Sequence, residues 1–192
     1  CLPSVLVSLL NGILSSISQS AVAFFGVYYK LQTFIYMPTS GIVQGMRPLM
    51  SYNYGAKLKE RMHQILKVSG LVIAAILGAG TLLFFIVPNV LLSLFNASSG
   101  MLEIGETGLR ILSLSFIVSS FGVLMSGVFE ALGLGKYSLI VSLLRQLLIT
   151  VPLAYILLNV MGIEGIWLSF VIAEAIASIV AYILYRKKFK TI

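Results

Sequence analysis

The chain has 192 residues, of which 59% are hydrophobic and only 10% charged, with a net charge of +7. A soluble domain carries roughly 25% charged residues, so a mean hydropathy of +1.04 leaves too little polar surface to face water and makes lipid the solvent for most of the molecule. All six acidic residues are Glu, with one His and one Cys, which excludes a disulfide framework, a Cys/His zinc site, a Ser-His-Asp triad and an aspartyl dyad.

A membrane span needs roughly 20 apolar residues, and the chain divides into about six of them, at 2–17, 21–50, 65–95, 109–132, 137–160 and 166–185. Each is expected to be helical, because backbone exposed to lipid must satisfy its own hydrogen bonds. Runs such as 71–77 lack the period of two that a barrel strand shows. The predicted fold class is therefore all-α, a polytopic six-helix membrane bundle. The first segment starts abruptly, without a basic flank, so the chain is read as part of a longer polypeptide.

The linkers alternate in charge. Lys57, Lys59, Arg61 and Lys67 surround the second, Glu103 and Glu106 the third, Lys136 the fourth and Glu164 the fifth, and Arg186, Lys187, Lys188 and Lys190 close the chain. Basic loops stay in the cytoplasm, which places the C-terminus there and predicts a multi-pass protein of the inner (plasma) membrane. The Lys and Arg residues are scattered among apolar spans, so topology and contact with anionic lipid account for them better than nucleic acid does.

Within the spans, a Lys or Glu at a helix centre costs roughly 2.5–3.5 kcal/mol, so such groups need a partner. Lys30 and Glu174 lie at similar depth and form one expected pair. Glu130 and Arg145 flank the turn at 133–136 and form a second. Tyr36 follows Gln32 by four residues and so shares its helix face, near Lys30. Together with Asn11 and Gln44 these residues are candidates for a substrate or ion path. An amide and aromatic face of this kind suits an amphipathic cation, and it equally suits hydrogen bonding between helices. Pro38 and Pro152 are expected to kink their helices.

The run from Phe25 to Pro38, followed by Gln44-Gly45-Met46-Arg47-Pro48 and continuing to Ala56, resembles the eighth helix and following loop of the multidrug and toxic compound extrusion (MATE) family. Glu130-Ala131-Leu132-Gly133, Leu144-Arg145-Gln146 with Pro152, and the stretch from Gly162 to Trp167 are similar to its last three helices. The resemblance implies two six-helix lobes, of which this chain is the C-terminal one, partnered by the lipid bilayer and an N-terminal lobe. It also implies antiport: sodium or proton entry coupled to export of small-molecule drugs or organic cations, with no resident cofactor. Glu130 stands where the family usually has Gln. Two other readings remain. A lipid-linked oligosaccharide flippase of the same superfamily would call for several cavity cations, and a non-transporting structural subunit would need no path at all. A membrane-embedded enzyme would require a catalytic cluster, and the sequence offers none.

Overall fold

The computed structural model describes residues 2–189, leaving Cys1, Lys190, Thr191 and Ile192 outside the described residues. Every regular element among them is helical: α1 (Leu2–Ser15), α2 (Gln19–Gly55), α3 (Lys59–Ile86), α4 (Pro88–Ser93), α5 (Ser99–Ala131), α6 (Gly135–Leu143), a π-turn (Leu144–Leu148), α7 (Thr150–Met161) and α8 (Ile163–Phe189). Because the π-turn joins α6 to α7 in one rod and α4 only caps α3, these elements form six rods.

Chemistry at the ends sets where the rods start and stop. The Ser18 hydroxyl accepts the Ala21 amide at 3.1 Å, and the Ser98 hydroxyl accepts that of Met101 at 3.3 Å, each satisfying an N-terminal donor that has no partner within the helix. Gly162 separates α7 from α8 with φ +68°, a left-handed conformation that costs glycine nothing.

Among the described residues, four segments are long and apolar enough to cross a membrane: Lys59–Ile86, Ser99–Ala131, Gly135–Met161 and Ile163–Lys188. α1 is apolar but has only 14 residues. α2, with 37 residues, is long enough yet more polar, being punctuated by Lys30, Gln32, Gln44 and Arg47. That polarity fits a helix that borders water-filled space as well as lipid.

Several boundaries differ from the sequence reading. The expected span at 65–95 is divided at Val87, because Pro88 cannot donate to the preceding turn and instead opens α4 as its first residue. α5 begins at Ser99 rather than 109, its first turn held by the Ser98 cap. Glu103 and Glu106 are thus helical, with Glu106 accepting from Asn89 at 3.0 Å and pairing with Arg110 at 2.9 Å. α2 runs unbroken through Pro38 and Pro48.

α5 is the centre of the bundle and touches α2, α3, α4, α6 and α8. Inside the lobe, 56% of its apolar window is buried, against 22% for α3, so α3 turns most of its surface outward. Small residues let neighbours approach α5 closely, the packing mode of helices in lipid. Gly108 sits under the Phe24 ring and the Trp167 indole, and Gly127 under Val43. Two hydroxyls tie neighbouring helices to the α5 backbone: Thr81 donates to the Ser113 carbonyl at 2.9 Å, and Ser178 to that of Val118 at 3.0 Å. An aromatic cluster fills the space between α2, α3, α5 and α8. Phe24 meets Trp167 edge-on with centroids 5.1 Å apart, and Phe84 meets Phe116 likewise at 5.1 Å. Such pairs add about 0.5–1.5 kcal/mol beyond area burial.

Candidate functional site

One face of α2 carries Tyr29, Gln32, Tyr36 and Ser40, at spacings of three and four residues that align them along the helix. This face borders a cavity of about 340 Å³ whose other walls are Pro3 and Leu6 of α1, Arg145 and Gln146 of the π-turn, and Phe170 and Glu174 of α8. Phe170 and Glu174 are four residues apart and so share a face of α8.

Arg145 owes its position to the π-turn. The Ile149 amide reaches back five residues to the Leu144 carbonyl at 3.1 Å, and the Thr150 hydroxyl donates to the Arg145 carbonyl at 2.5 Å. Pro152 follows with no amide proton for the carbonyl four residues before it, which removes a competing α-helical bond just where the turn widens. A π-turn inserts an extra residue and so rotates the side chains on either side of it relative to one another.

The guanidinium of Arg145 pairs with Glu174 at 2.9 Å, the two side chains being 15% and 11% exposed. Because the Ser119 hydroxyl donates to the Phe116 carbonyl at 2.8 Å, the Tyr36 hydroxyl must be the donor in its 2.6 Å bond with Ser119. Tyr36 and Arg145 line the same cavity. A second cavity of about 250 Å³ lies alongside, lined by Gln44, Arg47, Ser126, Glu130 and Ser142, and it shares Ser40 and Arg145 with the first. Here Arg47 pairs with Glu130, whose other oxygen accepts from Ser138 at 2.8 Å. At 41% and 39% exposure, this pair is a half-solvated contact of modest energy.

Both expected pairs are therefore re-partnered. Glu174 binds Arg145 rather than Lys30, which is exposed. Lys30 stands two positions from the buried Tyr28, roughly 200° around the helix and away from the core. Glu130 binds Arg47 rather than Arg145, which the π-turn aims at α8. Gln32 and Tyr36 line the first cavity and Gln44 the second, whereas Asn11 is half-buried on α1 and borders neither. Arg47 was missed as a site residue. The available signal was that a cation eight residues from the end of a long helix needs a carboxylate at its own depth, and Glu130 was the one left over.

Comparison with known proteins places this geometry. The MatE family model matches residues 1–156. Over 190 residues the chain is 26% identical to the multidrug export protein MepA of Staphylococcus saprophyticus, covering 95% of this chain and 42% of that one. Over 175 residues it is 26% identical to MepA of Staphylococcus aureus strain N315, covering 91% and 38%. Its backbone matches an outward-facing multidrug resistance MATE family transporter of the MOP superfamily with a TM-score of 0.91 at 22% identity, over 99% of this chain and 43% of that one. A MOP superfamily transporter from Pyrococcus furiosus gives the same TM-score of 0.91, over 98% and 43%. The chain thus spans less than half the length of the relatives it matches.

Proposed function

The chain belongs to the MatE family, whose members are transporters and not enzymes, and from that premise we propose that it is the C-terminal lobe of an efflux antiporter for drugs and organic cations. The observation that carries this reading is coverage: nearly all of this chain matches multidrug export proteins and uses 42% of one of them, the share expected of one lobe of two. In this reading an N-terminal lobe packs against the cavity side, and alternating access between the lobes moves substrate across the bilayer. Sodium ions or protons drive the cycle, with Glu174 and Glu130 as the carboxylates within reach of the cavities. Pro38, lacking an amide proton in mid-helix, is the point at which α2 flexes. The protein resides in the plasma membrane with the 57–67 loop and the C-terminus in the cytoplasm, as the distribution of Lys and Arg supports.

A flippase for a pyrophosphate-linked lipid is disfavoured, because the cavity's cation, Arg145, is already neutralised by Glu174. A purely structural subunit would have no use for two polar cavities inside an apolar bundle.

The test is dye efflux from everted vesicles containing the full-length protein that carries this chain, energised in turn by sodium and proton gradients. Efflux should require one of the two gradients and fall about tenfold or more in Glu174→Gln, a loss of roughly 1.4 kcal/mol or more. Exposed Glu164 serves as control, and Glu164→Gln should leave efflux unchanged. Efflux that persists without either gradient, or that is unaltered in Glu174→Gln, would overturn the proposal.

A further inference from the structure

Lys30 is a cation that the lobe leaves alone inside an apolar bundle. The carboxylates of the spans are taken, Glu174 by Arg145 and Glu130 by Arg47, and Lys30 makes no ion pair, hydrogen bond or ring contact among the described residues. Its depth follows from its neighbours. The Tyr28 ring meets that of Phe170 with centroids 6.3 Å apart, so Lys30, two positions further along α2, stands about level with position 172 of α8. The start of α8 at Ile163 is then roughly 13 Å away at 1.5 Å per residue. α8 has 27 residues, roughly 40 Å, about 10 Å more than the hydrocarbon core. Centred on that core, it leaves Lys30 roughly 8 Å inside the outer edge, a depth at which a charge needs a partner or water.

The surface around Lys30 is not built for lipid. Thr33 and Met37 follow it at three and seven positions, are exposed, and line the larger cavity, so the side of α2 that carries Lys30 is continuous with the rim of that cavity. Gly26, Gly41 and Gly45 lie on the same side, within about 60° of Lys30 around the helix. All three are exposed, with nothing within 4 Å of where a Cβ would stand. Bare glycine backbone in a membrane helix lets a second helix approach closely. α3 gives the contrast: from Val68 to Ile86 every exposed side chain is apolar, as lipid requires.

We propose that Lys30 pairs with a carboxylate on a helix of the N-terminal lobe, and that this helix packs on the glycine-bearing side of α2, so that an ion pair joins the two lobes along the rim of the cavity. The inference rests on the export reading for the presence of that lobe and adds the chemistry of its contact, an Asp or Glu at the depth of Lys30. In this lobe by itself Lys30 holds nothing, so its effect belongs to the assembled protein.

The test uses the full-length protein that carries this chain. With p-benzoylphenylalanine in place of Lys30, the protein is irradiated in native membranes, digested and read by mass spectrometry. The expected product joins position 30 to a peptide of the N-terminal lobe that contains Asp or Glu. Lys30→Glu sets like charges against each other and should lower the melting temperature of the full-length protein in detergent, whereas Lys30→Arg should keep it. Changing the cross-linked carboxylate to Lys in the Lys30→Glu background should restore it. Adducts with lipid alone or with this lobe alone, a cross-linked peptide without Asp or Glu, or a Lys30→Glu protein that melts like wild type would each overturn the proposal. These readings need neither a gradient nor a substrate. Efflux can therefore fail while the cross-link and the charge reversal hold, which sinks the export reading alone, and efflux can hold while position 30 meets only lipid, which sinks this one alone.

Discussion

Arg145→Ala should destabilise the lobe by about 3–5 kcal/mol, the usual cost of removing one partner from a buried ion pair. Glu174 would remain in the bundle without its countercharge, since its side chain is 11% exposed and its salt bridge is to Arg145. The loss should not be additive. In Arg145→Gln/Glu174→Gln no charge is left stranded, and two amides of similar shape can bond to each other, so the double variant should be more stable than Arg145→Ala. Lys30→Ala is the contrasting change. Lys30 is exposed and lies away from Glu174, so its removal should stay within about 0.5 kcal/mol and add independently to any change at Glu174. Thermal unfolding, in one detergent, of these three variants together with Arg145→Gln, Glu174→Gln and Lys30→Ala/Glu174→Gln decides it. Coupling of Glu174 to Lys30 instead of Arg145 would refute the assignment.

Gly165→Ala is the second large effect, and it acts through packing alone. Gly165 is in the first turn of α8, directly against the end of α7. A Cβ built there would stand 2.6 Å from the carbonyl carbon of Leu157 and closer still to its oxygen. Backbone atoms cannot rotate aside as a side chain does, so the α7–α8 hairpin has to open. Overpacking of this kind costs about 1–3 kcal/mol, occasionally more. Since α7 sets the π-turn and α8 carries Glu174, opening the hairpin should also separate the two halves of the buried pair. Gly12 of α1 supplies the control, because a Cβ there meets nothing within 4 Å. Gly12→Ala should be neutral or slightly stabilising, since Ala is favoured over Gly in a helix by about 1 kcal/mol. Equal melting temperatures for the two variants would contradict the packing described.

These two sites mark where sequence reasoning holds and where it stops. Composition alone requires a helical membrane bundle, because a chain with 10% charged residues cannot form a surface for water. The polar stripe of α2 is also legible, since Gln32 and Tyr36 follow helical spacing onto one face. Partner choice is not. Depth along a span can be counted from the sequence, and it puts Lys30 level with Glu174. Azimuth around the helix cannot be counted once a π-turn intervenes, and it is azimuth that turns Lys30 outward and Arg145 toward α8. Pro152 hinted at irregularity in that rod, but a proline does not say whether the chain will bend, break or widen. At Val87, similarly, hydropathy runs on while the backbone does not. The apolar pattern gave no sign of the division, although Pro88, at the first position of α4, could have been read as a helix start.

The central claim is that α3 crosses a bilayer and so separates the basic loop before it from the acidic start of α5. α3 has 28 residues, a length of roughly 42 Å at 1.5 Å per residue, which exceeds the roughly 30 Å hydrocarbon core. Glu60 and Glu103 are both exposed, one at each end of this crossing. Each is changed to Cys in a Cys1→Ser background and treated with a membrane-impermeant maleimide, on intact cells and after permeabilisation. Glu103→Cys should react in intact cells and Glu60→Cys only once the membrane is opened; equal labelling of both from the outside would contradict the account.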